Sequence, residues 1–432
     1  MLSPVVAALA PRVRNKVLRS FAARAGVVER WERACRETRD YARPLVWFHA
    51  SSVGEGLQAR PVMQALRAAH PEWQQAYSWF SPSAQEFGRS LGADVADYLP
   101  FDTARAANRL LNALRPSLLV YSKLDLWPQL VLSGAERGLP VAMISATVAK
   151  TSERGGFFAR SFLEKAYASL TAVGAIDQAN AERLEGLGVA RSSVSVTGDT
   201  RFDQVWDRAQ RAVRAESNSA GVLRLLTSDR FTLVAGSTWP SDEAPLFKIW
   251  ESIQQEYPNA RLIIAPHEPS EKHLQGITDW ARRNRLILVR LSALEGAVEL
   301  DKAARAENAA RSAQVVLVDS VGVLGDLYSL AGVAWVGGGF HAAGLHSVIE
   351  PAAFGVPVMF GPQFESSREA GLLLEAGAAV SGEGDVLERQ LASWISNDVL
   401  RVEAGRAALE FVKAECGATS RSVELLARAI GA

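Results

Sequence analysis

Three stretches of this chain put polar side chains where an apolar run ends. In HASSVGEG, residues 49–56, the run breaks into small residues and Glu55. A carboxylate in a turn made of Ser51, Ser52 and Gly54 has two readings. It decorates the first turn of a helix, or it takes a proton from a ligand that the small residues admit. In VAWVGGGFHAAGLHSVIEP, residues 333–351, a strand ends in Gly337-Gly338-Gly339 and a helix is predicted to start near His346. Glycines let a ligand approach the backbone, and a helix start offers unpaired N–H groups to a phosphate. His346 and Glu350, four residues apart, would then share one helix face, with an exposed His/Glu pair as the plainer reading. In AGSTWPSDE, residues 235–243, Gly236 turns the chain, and Ser237 or Thr238 is placed to donate to an anion or simply to cap a helix.

Further strand ends are polar as well. His267 and Glu268 follow IIAP, Asp319 and Ser320 follow VVLV, Lys123 and Asp125 lie just beyond LLVYS, and Lys150 and Arg154 sit in a Ser/Gly loop. A phosphate-bearing ligand would find basic partners at the last two places; solvated surface cations are the plainer reading. The elements that must position these residues are two series of short β-branched and aromatic runs. The first is LVWFHA, AYSWFS, ADYLP, LLVYS, PVAMISA, AVGAID and VSVTGD; the second is FTLVAGS, RLIIAPHE, LILVRL, VVLVDS, VAWVGGG, PVMFGP and AAVSGE. Each run precedes a helix-length amphipathic segment, without hairpin turns, so the class is α/β with parallel sheets covered on both faces. Ligands bind such sheets at the carboxyl ends of the strands, and two domains facing across a cleft are expected.

The boundaries read as a basic amphipathic segment over 1–40, a first domain over 41–210, a polar link over 211–229 and a second domain with carboxyl-terminal helices over 230–432. Residues 291–314, rich in Ala, Glu and Arg, read as a surface insertion. From Arg12 to Val28 there are five basic residues (Arg12, Arg14, Lys16, Arg19, Arg24) and no acidic one, with apolar residues at helical spacing. Such a helix either lies on an anionic membrane surface or packs on its own domain. No apolar run reaches the length of a membrane span. Charge balances at 47 basic against 47 acidic residues, which disfavours a nucleic-acid partner recognised through bulk charge. Cys35 and Cys416, in predicted helices, have no metal-site or disulfide spacing, and the six histidines are scattered, so no metal is expected.

Taken in order, HASSVGEG, KLDLWP, TGDTRFD, GSTWPSDE, DSVGVLGDLYSLAGVAWVGGG and HSVIEPAAFGVPVMFGP resemble the motifs of the 3-deoxy-D-manno-octulosonic acid (Kdo) transferases over roughly Pro44 to Pro362. That family has the GT-B fold of two Rossmann-like domains and uses CMP-Kdo to glycosylate the lipid A precursor. The resemblance implies that Glu55 is the general base toward the acceptor hydroxyl. It implies that His346, Ser347 and Glu350 lie near the nucleotide, Glu350 on the ribose, and that Ser237, Thr238, His267 and Gly337 to Gly339 lie near the cytidine monophosphate. Ser52, Gly54, Lys123, Asp125, Lys150 and Arg154 would fall on the acceptor side. It further implies CMP-Kdo as co-substrate and an acceptor in the cytoplasmic leaflet of the inner membrane. Members usually carry an amino-terminal membrane anchor, in whose place the basic helix at Arg12 to Val28 is expected to serve as a peripheral contact on that face, and with no DxD pair no metal or other cofactor is expected. The chain departs from the family pattern at Lys123, where an acidic residue is common, at Pro266-His267, where Pro-Arg-His is common, and at Ser347, where Asn is frequent. Another GT-B nucleotide-sugar enzyme, or a non-catalytic membrane-associated scaffold, are the alternatives.

Overall fold

The computed structural model describes residues 23–123, 125–148, 157–214, 216, 219–299 and 303–431. Residues 1–204 with 415–432 form one compact unit, and residues 205–414 form a second. Each holds a seven-stranded sheet, and every strand pair in both is parallel. The fourteen strands fall on the fourteen apolar runs. Long β-branched and aromatic side chains pack well on a pleated surface covered on both faces, and a parallel sheet needs that cover.

In the first unit the strands are β1 (Leu45–His49), β2 (Gln74–Trp79), β3 (Val95–Tyr98), β4 (Leu118–Ser122), β5 (Val141–Ala146), β6 (Ala172–Ala175) and β7 (Val194–Val196). Their order is β3-β2-β1-β4-β5-β6-β7. The chain therefore starts in the middle, winds to one edge and returns to wind to the other. The reversal falls between β1 and β4, so Glu55, after β1, and Lys123 and Asp125, after β4, emerge at the place where ligands bind doubly wound sheets.

In the second unit the strands are β8 (Thr232–Thr238), β9 (Arg261–Pro266), β10 (Leu288–Arg290), β11 (Val315–Leu317), β12 (Val333–Val336), β13 (Val358–Phe360) and β14 (Ala379–Ser381). The order β10-β11-β9-β8-β12-β13-β14 puts its reversal between β8 and β12. Ser237 and the glycine triplet leave the sheet at those two strand ends. The two sheets thus carry the sequence-predicted polar residues at equivalent topological positions.

Three expectations need correction. The stretch 291–314 is not a surface insertion. It forms helices Leu291–Glu299 and Ala303–Ser312, and Leu291, Leu294, Ala310 and Ala313 join the core beneath them with Val316. Alanine-rich spacing hid a buried face, because small side chains carry little hydrophobic signal. The last helix, Ala418–Ile430, does not pack with the second unit: Leu425 and Leu426 lie in the core of the first. Asp203 holds it there by accepting hydrogen bonds from the backbone N–H of Gly417 and of Thr419, each at 2.6 Å. Cys416 lies in the break before it rather than within a helix.

Of the basic amino-terminal residues, Arg12, Arg14, Lys16 and Arg19 lie outside the described residues. Arg24 is buried, donates to the Leu99 carbonyl at 3.1 Å and to the Phe80 carbonyl, and lies 3.5 Å over the Phe80 ring. Helix Val27–Thr38 follows, with Val27, Trp31 and Cys35 buried against the first sheet's core. Among the described residues no helix is long and apolar enough to cross a membrane.

Candidate active site

Helix Val53–Ala69 starts directly after β1, with Ser52 as its N-cap. Ser52 Oγ accepts from the Glu55 N–H at 3.4 Å, and Glu55 Oε2 reaches back to the Ser51 N–H at 2.7 Å. The first is the N-cap bond and the second ties the carboxylate to the residue before the cap, so the sequence reading of Glu55 as a helix-start carboxylate is satisfied by half of its carboxyl. Among the described residues Oε1 has no hydrogen-bond partner. Burial pushes the Glu55 carboxyl above the usual carboxylate range. The Ser51 N–H opposes this, the Asp125 charge adds to it and Lys123 opposes it.

The turn itself is held from below. Trp47 Nε1 and His49 Nδ1 both bond Ser78 Oγ at 2.9 Å, and His49 Nε2 meets Ser51 Oγ at 3.2 Å. Ser51 Oγ then donates to Asp125. Burial depresses the His49 imidazole to about 3, so it is neutral and serves as a rigid link. One turn along the helix, the Gln58 amide donates to Asp199 at 3.1 Å, and Thr200 Oγ1 donates to the Gln58 carbonyl at 2.8 Å. The TGDTRFD segment therefore fixes the helix that bears Glu55. At Gly54 an added Cβ would meet nothing within 4 Å, so the turn is open at that point. Lys123 is exposed and takes a left-handed backbone, φ 73°, a conformation a non-glycine residue holds only where its surroundings impose it. Lys150 and Arg154 lie outside the described residues.

In the second unit, β8 carries an irregularity between Gly236 and Thr238, and Ser237 there has φ 54°. Thr238 is fully buried, and its hydroxyl donates to Glu243 at 2.8 Å; Glu243 also takes His273 Nε2 at 2.9 Å. Thr238 is therefore committed internally, whereas Ser237 is half-exposed at the strand end. Helix Pro240–Glu256 follows, and its Asp242 is fully buried. Its carboxylate accepts from the N–H of Trp239 at 2.9 Å, of Gly338 at 2.8 Å and of Phe340 at 3.0 Å. A single carboxylate thus ties the two strand-end loops together.

The glycine triplet is also a packing device. A Cβ at Gly337 would lie 2.2 Å from the Ser237 carbonyl oxygen, one at Gly338 2.1 Å from that of Gly344, and one at Gly339 2.3 Å from the Gly361 nitrogen. Backbone thus meets backbone at this strand end. His346 is not in a helix with Glu350. The helix there is only Ile349–Ala352, and His346 precedes it in an irregular stretch that hydrogen-bonds Gly337 through its N–H at 3.0 Å. Such a single turn offers no helix-terminus phosphate site, and the shared face expected from the four-residue spacing is absent.

What brings His346 to the site is an aromatic assembly. Trp239 stacks on His341 with centroids 4.3 Å apart and lies 4.6 Å from His267, which is 4.5 Å from His346. Trp239 Nε1–H donates to His346 Nε2 at 3.2 Å; as indole only donates, the His346 proton resides on Nδ1. Burial, followed by the His267 charge, lowers the His346 pKa and favours this neutral tautomer. Three of the six histidines thus gather at one strand-end cluster. Ser347 beside them is exposed. Glu350 is partly exposed; burial raises its pKa, with Arg208 opposing and Asp326 adding. Arg208 Nε donates to Asp326 at 2.9 Å. Trp239, His341, Asp242 and Arg208 were not singled out from sequence. Only Asp242 had a signal, an acidic residue at the third position of a helix opened by Pro240.

Two doubly wound parallel sheets, each with polar groups at its switch point, are the arrangement of the GT-B fold. UDP-GlcNAc 2-epimerase from Neisseria meningitidis, solved with UDP-GlcNAc, shares the fold with a TM-score of 0.63 at 13% identity, over 89% of this chain and all of that one. Residues 19–204 match the family described as 3-deoxy-D-manno-octulosonic-acid transferase. The transferase of that name from Haemophilus influenzae is 26% identical over 388 residues, 88% of this chain and 86% of its own. That from Chlamydia muridarum is 27% identical over 79% of this chain and 76% of its own. The chain is a glycosyltransferase related to the Kdo transferase family.

Proposed function

We propose that the chain transfers Kdo from CMP-Kdo to a lipid A precursor, lipid IVA, with inversion at the anomeric carbon, in lipopolysaccharide core synthesis. The observation that carries the reading is the Glu55 carboxyl, half-buried at the switch point of the first sheet with one oxygen bound to Ser51 and the other unpartnered among the described residues. The acceptor hydroxyl oxygen attacks the anomeric carbon, the bond from that carbon to the CMP phosphate oxygen breaks, and the hydroxyl proton passes to Glu55 Oε1. A base is most effective when its pKa lies near the operating pH, and burial moves Glu55 in that direction.

On the donor side, Ser237, the His346 Nδ1–H, His267 and the backbone of Gly337 to Gly339 are the groups proposed to take up charge developing on the leaving phosphate. Glu350 is assigned to the ribose hydroxyls, with Ser347 nearby. Ser52, Gly54, Lys123, Asp125, Lys150 and Arg154 are assigned to the acceptor. The donors proposed for the phosphate carry the charge without a metal ion, and the work site is the cytoplasmic face of the inner membrane, with residues 1–22 as a peripheral contact, since Arg24 and the Val27–Thr38 helix are taken up by the first unit's core. Incubation of the purified chain with CMP-Kdo and lipid IVA, read by mass spectrometry, is expected to give a Kdo adduct and free CMP. CMP release without adduct, or no turnover, would sink this reading.

A further inference from the structure

At the amino-terminal edge of the second sheet, opposite to the strand ends described above, a cavity of about 510 Å³ is lined by Arg224, Arg230, Arg261 and Arg311 together with Asp229 and Glu307. Four cations therefore face two carboxylates. Arg261 opens β9 and is only 2% exposed, yet among the described residues neither it nor Arg230 pairs with a carboxylate. Arg261 Nη2 donates to the Leu226 carbonyl at 2.5 Å and to Thr232 Oγ1 at 3.0 Å, while its buried Nε has no partner among the described residues. Arg230 donates to the carbonyls of Asn259 and Arg311 at 2.8 Å and of Ala313 at 3.0 Å. Carbonyls at the ends of helices Ala220–Leu226 and Ala303–Ser312 satisfy part of this charge. Among the described residues they leave one buried N–H of the Arg261 guanidinium unpaired, in a residue that lines a cavity far larger than one water needs. Burial, then the neighbouring Arg230 charge, lowers the Arg261 pKa to about 10, the direction expected of a cation without an anion beside it.

We propose that this cavity binds a soluble oxyanion of the phosphate class, held by Arg261 from within and by Arg224, Arg230 and Arg311 from its rim. Guanidinium groups in a fixed fork match tetrahedral oxyanions through paired N–H donors. The six-residue strand β9 separates Arg261 from His267, about 20 Å at roughly 3.3 Å per residue, so this site is distinct from the cluster around His346. Pyrophosphate is titrated into the full chain by calorimetry at constant ionic strength. One saturable site is expected, weakened at least tenfold in Arg261→Met and in Arg224→Ala and unchanged in His346→Ala. Arg224 lies exposed on its helix, so Arg224→Ala carries the test should Arg261→Met fail to fold. Absence of saturable binding, equal binding by Arg224→Ala, or loss in His346→Ala instead, overturns the proposal.

Discussion

Asp242→Asn isolates what holds the donor-side loops in place. The carboxylate accepts three backbone N–H bonds, two on Oδ2, from Trp239 and Gly338, and one on Oδ1, from Phe340. Asparagine keeps one acceptor oxygen. Its best rotamer retains the two bonds at Oδ2 and turns an NH2 group against the Phe340 N–H. The variant then loses one charge-assisted bond, leaves one backbone donor unpaired in a largely buried place, and weakens the other two by removing the charge. With charged hydrogen bonds worth about 1.5–3 kcal/mol, neutral ones about 0.5–1.5, and an unsatisfied buried donor costing about 1–3, the expected loss is about 3–5 kcal/mol. Urea unfolding of the full chain should show an earlier transition for the second unit and an unmoved one for the first. Amide exchange at Gly338 and Phe340 should accelerate, and CMP should bind at least tenfold more weakly. An Asp242→Asn protein with the parent's midpoint and CMP affinity would refute the clamp.

Acid stability should report His49. Its folded pKa is near 3 because of burial, and an unfolded imidazole titrates near about 6.5. The unfolded chain therefore takes up the proton first. Stability is fully present above about pH 6.5 and falls as pH drops toward the folded value. His49→Gln should flatten urea midpoints of the first unit over that window, and an equally steep loss in the variant would place its source elsewhere. Transfer activity should survive excess chelator; loss with chelator and recovery with magnesium would contradict the metal-free assignment. Anionic vesicles should sediment the full chain but not one lacking residues 1–22, which leaves Arg24 and the Val27–Thr38 helix in place; equal sedimentation would remove the membrane role of that segment.

The strands were legible because runs such as LVWFH and RLIIAP carry their signal in consecutive β-branched and aromatic residues bounded by turn formers. Glu55 was legible because a strand, small residues and a carboxylate stand together in eight residues. The assembly of Trp239, His267, His341 and His346 was not, since three separate strand ends bring it together and no spacing in the chain records that. The helix expected at His346 failed for a local reason. Gly344, with φ 92°, precedes it, and Pro351, which has no N–H to donate, fits best in a helix's first turn, as it does in the helix Ile349–Ala352. Asp199 and Asp203, in a motif noticed for its resemblance, turn out to tie the Glu55 helix and the last helix into the first unit.

The assignment of Glu55 as the base toward the acceptor is tested most directly by Glu55→Gln, which keeps the shape of the capping turn and removes the proton acceptor. Transfer from CMP-Kdo to lipid IVA and CMP affinity are measured on the same preparation. Turnover should fall by about 10²- to 10⁴-fold, the usual contribution of a positioned base, with the CMP dissociation constant changed less than about twofold. Turnover within a few-fold of the parent would leave Glu55 a helix-capping carboxylate and nothing more.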